Sequence, residues 1–175
     1  MRPSFIDCVN GVLRRLRQSE VSSYAERSYS KLIADLVNQA VREVEDRHYW
    51  QDLRKSTELS LVSGTQTYSL TGWSDRGRLD RIRLTDTPRS KLTVVSDDCW
   101  EGLDQTVDNG RPDKYRLYLF DSSGDPRVQV YRTPDASYTA VAYGWVGQGE
   151  IMADSTTILV PTQPVILKAY AMAIQ

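Results

Sequence analysis

Residues Lys31–Val44, KLIADLVNQAVREV, decide how the rest of the chain must be arranged. Their apolar side chains recur three and four positions apart, which is typical of one face of an amphipathic α-helix. The pattern predicts a helix from about Tyr24 to about Trp50, roughly 40 Å long at 1.5 Å per residue. Such a helix needs partners along its whole apolar stripe, which consists of Leu32, Ile33, Leu36, Val37, Ala40, Val41 and Val44.

Two shorter helical segments at the ends of the chain are suitable partners. Near the N-terminus, Ser4 is a good helix cap and Asp7 falls in the first turn, where the helix dipole favours a negative charge. Near the C-terminus, TQPVILKAYAMAIQ predicts a helix capped by Thr162, with Pro164 in its first turn. Its apolar face, which we expect to cover the long helix, consists of Val165, Ile166, Ala169, Tyr170 and Ala173.

Between these helices the apolar period becomes two, the period of β-strands. Residues 57–70, TELSLVSGTQTYSL, predict a hairpin with Ser63-Gly64 as its turn. DSSGDP predicts a tight turn between two later strands, and residues 97–102 predict one helical turn capped by Ser96 or Asp97. The later strands are expected around Arg81–Leu84, Lys91–Val95, Lys114–Phe120, Arg127–Tyr131 and Tyr138–Trp145.

This order of elements predicts an α+β fold. The N- and C-terminal helices pack as a small bundle, and six or seven short strands between them form an inserted antiparallel β-sandwich or barrel. The expected divisions are an N-terminal helical region over residues 1–52, a β module over residues 53–150, and a C-terminal segment and helix over residues 151–175.

Composition narrows the possible functions. The 175 residues carry a formal net charge of −1, which argues against a general affinity for nucleic acid because that affinity needs a basic surface. No apolar run approaches the roughly 20 residues that cross a bilayer, and the N-terminus has no apolar signal-peptide core. We therefore expect a protein made in a cytoplasm, with no membrane partner. Cys8 is expected to be a small buried apolar residue.

The sequence predicts no catalytic residue, no cofactor and no metal site. His48 is the single histidine, and its place beside aromatics at a helix end favours a packing role. Asp97 and Asp98 are typical of a cap and a solvated neighbour. DSSGD lacks the spacing and closing glutamate of a calcium loop, and no glycine-rich phosphate-binding motif is present.

Surface contacts are a more promising basis for function. The Arg14-Arg15-x-Arg17 cluster is either a solvated helix end or a contact for an acidic partner or passing DNA. Tyr and Trp are concentrated in the β module; most will be core, but these residue types are also enriched at interfaces. The candidate interface residues are Arg14, Arg15, Arg17, Tyr115, Tyr118, Trp145 and Tyr170.

The order of motifs resembles the head-to-tail adaptor (connector) proteins of tailed bacteriophages. The matching stretches are the long helix leading through a Trp into a hairpin ending in Tyr-x-Leu, then RIRLTD, GRPDKYRLY, VQVYRTPD and YTAVAYGW. The resemblance spans about Leu32 to Trp145. Similar sequences often have a proline after the Tyr-x-Leu strand, where this chain has SLTGW, and a Pro-x-Pro turn where it has RTPD.

The resemblance implies a structural virion protein at the head–tail junction with no enzymatic activity. Such proteins form a homo-oligomeric ring, typically of twelve copies, that docks under the portal and holds the tail or nozzle below. Viral DNA passes through the lumen of the ring without sequence-specific binding. Surplus strand aromatics and an overlong amphipathic helix fit a subunit whose surfaces contact neighbours.

A second function class stays open at this point. A ligand- or carbohydrate-binding β-sandwich with a helical stalk would use exposed Trp73, Trp100 or Trp145 as a stacking platform. An enzyme is a third class, which the scarcity of reactive groups disfavours.

Overall fold

The computed structural model describes residues 2–86, 88–103 and 109–175. The chain divides into two compact units. The helical unit comprises residues 1–53 and 147–175, and the β unit comprises residues 54–146. The predicted α+β fold, with helices at both ends of the chain and two sheets between them, is confirmed.

Helix α1 (Phe5–Arg15) begins with the predicted capping arrangement. The Asp7 carboxylate accepts hydrogen bonds from the Ser4 backbone N–H (2.8 Å) and hydroxyl (2.7 Å), and the Asp7 N–H donates to the Ser4 hydroxyl oxygen (3.4 Å). These bonds satisfy N–H groups that a helix start leaves without partners. Cys8 is fully buried on this helix, as predicted.

Helix α2 (Ser28–Arg47) has 20 residues and is shorter than the sequence predicts, about 30 Å long at 1.5 Å per residue. Its start is delayed because Tyr24–Glu26 forms a separate 3₁₀ turn and the Ser30 hydroxyl donates to the Tyr24 carbonyl (2.7 Å). At the other end His48 is extended, and the Trp50 indole N–H donates to the Val44 carbonyl (2.9 Å). That bond satisfies a terminal helix carbonyl in place of another turn.

The last helix, α4 (Thr162–Ala173), packs against both α1 and α2, which confirms the predicted bundle. Its predicted cap is wrong: Pro161 occupies the cap position, and no side chain caps the helix. The segment before α4 is held to α2 by reciprocal bonds, since Asn38 donates to the Ile151 carbonyl (3.1 Å) and accepts from the Ile151 N–H (3.0 Å).

The β unit is a sandwich of two four-stranded sheets, called here sheet I and sheet II. Its strands are β1 (Arg54–Leu61), β2 (Thr67–Ser69), β3 (Arg78–Leu84), β4 (Ser90–Lys91), β5 (Thr93–Val94), β6 (Lys114–Phe120), β7 (Pro126–Tyr131) and β8 (Tyr138–Trp145). Sheet I has the order β1-β8-β3-β4, and sheet II has the order β2-β7-β6-β5. The short helix α3 (Asp97–Glu101) connects β5 to the segment before β6 and is capped by Ser96.

The two sheets share one apolar core. Its members are Leu59, Leu61, Leu70, Trp73, Ile82, Leu84, Leu92, Tyr115, Val128, Val130, Ala140 and Ala142. Because alternate residues of a strand point to opposite faces, the other residues of each strand lie on the two outer faces of the sandwich.

The predicted hairpin over residues 57–70 is wrong. β1 pairs with β8 and β2 pairs with β7, so the chain crosses from one sheet to the other between them. The Ser63-Gly64 reversal is present, with Gly64 at φ +79°, but its N–H donates to the Pro134 carbonyl (2.9 Å). A turn sequence specifies a reversal of direction, whereas strand pairing depends on which apolar faces meet in the core.

The prediction of antiparallel strands is correct for all pairings between the named strands of the described chain except one. β5 and β6 pair in parallel, through Thr93 with Lys114 and Val94 with Tyr115. The parallel pair is possible because the intervening chain, which includes α3, is long enough for a crossover.

Candidate assembly surfaces

The C-terminal half of β6 is an exposed apolar edge. Leu117, Leu119 and Phe120 are 51%, 66% and 56% exposed. β5 covers only the start of this edge: the N–H of Val95 donates to the Tyr115 carbonyl (2.9 Å), and the pairing with β6 ends there. An exposed apolar strand edge readily takes up another chain, which makes this edge a candidate contact surface.

The sequence pattern did not single out these three residues as a contact surface. In LYLF, residues 117–120, apolar residues occupy consecutive positions, so the pattern resembles a strand buried on both faces. A shift of register between Tyr118 and Phe120 breaks the alternation there, as a β-bulge does. The run of exposed apolar residues therefore depends on strand pairing that the sequence pattern does not reveal.

Tyr118 lies beside this edge, on the outer face of sheet II. It is 39% exposed, and the Arg116 guanidinium lies 5.0 Å from the centre of its ring. Arg116 also lies 4.8 Å from the Trp100 ring and donates to Asp97 (3.1 Å) and Gln129 (2.8 Å). These contacts hold Tyr118 against an oriented cation and leave part of its ring open to a partner.

The three other aromatic residues predicted to lie at an interface differ in burial and position. Tyr115 is 3% exposed and belongs to the core, where burial raises the pKa of its hydroxyl; its ring therefore packs inside the sandwich, not on a surface. Trp145 is half-buried on the outer face of sheet I, opposite Arg54 and Arg78. Tyr170 is half-buried on α4.

The predicted arginine cluster lies at the end of α1 in the helical unit. Arg14, Arg15 and Arg17 are all exposed. Arg14 forms a salt bridge with Glu20 (3.0 Å), and Arg15 donates to the Gly11 carbonyl (3.0 Å). Basic side chains suit the negative end of a helix dipole, so these residues both finish α1 and present positive charge to solvent.

Two of the three tryptophans considered for a carbohydrate-binding platform are buried, and the third, Trp145, is half-buried. Trp73 is 0% and Trp100 is 3% exposed. The Trp73 indole N–H donates to the Thr57 hydroxyl (2.8 Å), and Trp100 packs edge-on against Tyr131 at 6.1 Å. Both rings are buried within the β unit, where each large aromatic side chain removes much apolar surface from water.

The acidic turn DSSGD has a structural role in the described chain. Asp121 accepts from the N–H groups of Ser123 (2.9 Å) and Asp125 (3.0 Å). Asp125 accepts from the N–H groups of Gly72 (2.8 Å) and Ser74 (2.7 Å), and these bonds lower the pKa of its carboxyl. The turn thus anchors the β6–β7 hairpin to the loop after β2.

Neither a metal centre nor a membrane span occurs in the described parts of the chain. No three of their His, Cys, Asp and Glu side chains are grouped as ligands for a metal ion. No helix among them is both long enough and apolar enough to cross a bilayer.

Comparison with known proteins decides the family. Residues 4–174 match the family model described as "SU10 adaptor protein". The chain belongs to the SU10 adaptor protein family. The resemblance to phage head-to-tail adaptors is thereby confirmed at the level of the family.

Other comparisons add little to this assignment. No curated protein matches the adaptor at a significant level. Among solved structures, it is similar to a chain of the "Neck of empty GTA particle computed with C6 symmetry", with 14% identity and a TM-score of 0.34 over 95% of this chain and 77% of that one. At that score the likeness supports no further structural conclusion.

Proposed function

We propose that this adaptor is a structural virion protein that forms a ring, typically of twelve copies, between the portal and the tail or nozzle. The observation that carries the proposal is the family match over residues 4–174, which leaves almost no part of the chain outside the adaptor assignment. The role is one of assembly, without enzymatic activity or a cofactor. The finished protein resides in the virion after synthesis in the host cytoplasm.

Exposed apolar residues in both units support the proposal that the chain is a ring subunit. A ring needs two different surfaces on each copy that fit one another, so that each contact is heterologous and the assembly closes. The β6 edge supplies one apolar surface in the β unit. The helical unit exposes Leu32 (52%) and Leu167 (49%), which are large apolar side chains on its helices.

DNA passage is part of the proposal, without sequence-specific recognition. A strongly basic chain would hold DNA through its phosphates, whereas a chain with a net charge of −1 is compatible with a conduit through which DNA slides.

The two units are assigned different contacts in this proposal. The helical unit, with Arg14, Arg15, Arg17 and Tyr170, faces the portal. The β unit, with Tyr118 and Trp145, faces neighbouring copies and the next tail component. On this view the helical unit and the β unit act as separate domains.

The test is the absolute mass of the purified adaptor by light scattering, alone and then mixed with the portal ring of the same virus. The expected result is a complex whose extra mass is a fixed multiple of the adaptor mass. Serum albumin in place of the portal is the control and should bind nothing. An adaptor that leaves the portal mass unchanged at every ratio would contradict the proposal.

A further inference from the structure

A β-bulge in β3 places three arginines on one face of sheet I. Arg78 pairs with Trp145 and Leu79 with Gly144, but the next pair is Arg81 with Tyr143, so Asp80 is the extra residue. Without the bulge, strict alternation would point Arg81 into the core. With it, Ile82 and Leu84 enter the core while Arg78, Arg81 and Arg83 share the outer face.

Two further cations complete this surface, which we call the basic face. Arg54 pairs with Trp145 on one side of β8, and Lys91 pairs with Arg83 at the β4 edge. Residues directly opposite one another on neighbouring strands share a face. The cations of the basic face are therefore Arg54, Arg78, Arg81, Arg83 and Lys91. Glu58 shares this outer face two strands away from Arg83, since both residues pair with Val141.

The pairing of Arg83 with Lys91 is unfavourable by itself. Both side chains are exposed, and like charges directly opposite in a sheet repel. Elsewhere on the same face a cation has an acidic neighbour: Arg81 forms a salt bridge with Asp80 (2.9 Å). An acidic group from another molecule would relieve the repulsion between Arg83 and Lys91.

The opposite outer face of the same sandwich carries the complementary charge. Helix α3 lies over sheet II, where Trp100 is buried beside Arg116 (4.8 Å) and Tyr131. Its solvent side carries Asp97, Asp98 and Glu101, all of them exposed. Asp97 reaches Arg116 (3.1 Å), so Asp98 and Glu101 are the carboxylates best placed to meet a partner.

We propose that the basic face of one copy binds the acidic surface of α3 on a second copy. The two surfaces lie on opposite sides of one sandwich and differ in sign, so each contact leaves an unused basic face at one end and an unused α3 at the other. Contacts of this kind repeat from copy to copy and can close into a ring. The proposal deepens the proposed function, because it names the contact that joins ring subunits.

A second copy fits the basic face better than nucleic acid does. The positive charge on sheet I is balanced within the chain, whose net charge is −1, and the balancing carboxylates include a compact group on α3. A protein that binds DNA through phosphates gains affinity from an uncompensated basic surface. Charge complementarity between two surfaces of one chain favours self-association and sets its orientation.

The test uses charge reversal with rescue. We would measure association of the full chain by sedimentation velocity at about 0.05 M and about 0.5 M salt, because screening weakens contacts between exposed charges. Wild type should associate at low salt and dissociate at high salt. The variants R83E/K91E and D98K/E101K, each alone, should associate more weakly by on the order of 100-fold, because each places like charges opposite one another.

Mixing the two variants should restore association. In the mixture the acidic α3 of R83E/K91E meets the basic face of D98K/E101K, and the basic α3 of the latter meets the acidic face of the former. The variant that combines all four substitutions should also associate, with the polarity of the contact reversed. The control K31E/R47E changes the same charge at exposed positions of the helical unit and should behave like wild type. Thermal unfolding checks that every variant is folded.

Several results would overturn the proposal. They are a wild type that stays monomeric at low salt, variants that associate normally, a mixture that is not rescued, or a control that is weakened equally. If R83E/K91E loses only binding to a random duplex DNA and still self-associates, the basic face is a nucleic-acid surface and the proposal fails. If the adaptor binds the portal in a fixed multiple but the charge variants associate normally, only this subunit contact is rejected. If mixing the variants restores association but the adaptor does not bind the portal, only the adaptor role is rejected.

Discussion

Position 144 shows how one residue limits the packing of the sandwich. A Cβ built on Gly144 would meet the Arg78 carbonyl oxygen and would lie 2.6 Å from the Trp73 ring. The ring is fully buried and cannot move away without opening the core. The glycine is therefore required by a close approach of backbone and ring, near the C-terminal end of β8.

We predict that Gly144→Ala lowers the free energy of unfolding by about 1–3 kcal/mol, as overpacking of a core does. Urea denaturation followed by tryptophan fluorescence measures the change. Gly149→Ala is the matched control, because nothing lies within 4 Å of a Cβ at that position. Equal stability of the two variants would show that Trp73 does not press on β8.

Asp125 links stability to pH. Hydrogen bonds from Gly72 and Ser74 hold its folded-state pKa below the ordinary value of 3.8. A depressed carboxyl pKa contributes stability above the unfolded-state value, and the contribution is lost as the pH falls through the folded-state pKa.

We predict that Asp125→Asn is less stable than wild type at pH 7, because the amide offers one acceptor oxygen where the carboxylate offers two. The difference should shrink as the pH is lowered below about 4, when the wild-type carboxyl takes up its proton. Denaturant titrations from pH 7 to acid measure it. Asp35→Asn, at an exposed position of α2, should follow wild type throughout; a constant gap for Asp125→Asn would contradict the prediction.

Helix α2 has one buried face and one solvated face. Val37 is 0% exposed, whereas Leu32 is 52% exposed although it belongs to the stripe that the sequence predicts to be buried. The stripe is wider than its partners cover, because α1 and α4 contact only part of the helix surface. Making the same substitution at Val37 and at Leu32 therefore tests which face of α2 is buried.

We predict that Val37→Asp destabilises the helical unit by on the order of 4 kcal/mol or more, because it buries a charge without a partner. Leu32→Asp should change stability by no more than about 0.5 kcal/mol. Circular dichroism during thermal unfolding distinguishes the two. A cooperatively folded Val37→Asp protein with wild-type stability would mean that α2 is packed differently.

The strands show that local sequence signals predict strand bounds but not strand pairing. Tyr138–Trp145 and Lys114–Phe120 have the expected bounds because their composition and flanking turns are local signals. The hairpin at residues 57–70 failed because β1 and β2 join different sheets. Pairing is decided by residues far away in the sequence, and no local signal encodes it.

The arginines at the end of α1 are proposed to contact the portal. Replacing Arg14, Arg15 and Arg17 by Ala should leave the thermal unfolding temperature nearly unchanged, because exposed ion pairs contribute little to stability. The same variant should bind the portal ring more weakly, by about 10-fold, as loss of exposed interfacial charge does. Light scattering of the mixture measures the loss.

The matched control removes three other exposed cations, Lys31, Arg47 and Arg89, and should dock like wild type. Docking by the Arg14, Arg15 and Arg17 variant at wild-type strength would exclude this cluster from the portal contact.

The α+β class, the helical bundle at the chain ends, the Ser4–Asp7 cap and the resemblance to the adaptor family could all be predicted from the sequence, because periodicity, caps and motif order are visible along the chain. It did not reveal the exposed β6 edge, the burial of Tyr115 and Trp100, or the basic face on sheet I. Those depend on which strands pair, and on a single bulged residue, Asp80, that turns Arg81 from the core to the surface. They follow from the folded arrangement of the strands, because the face to which a strand residue points changes with every shift of register.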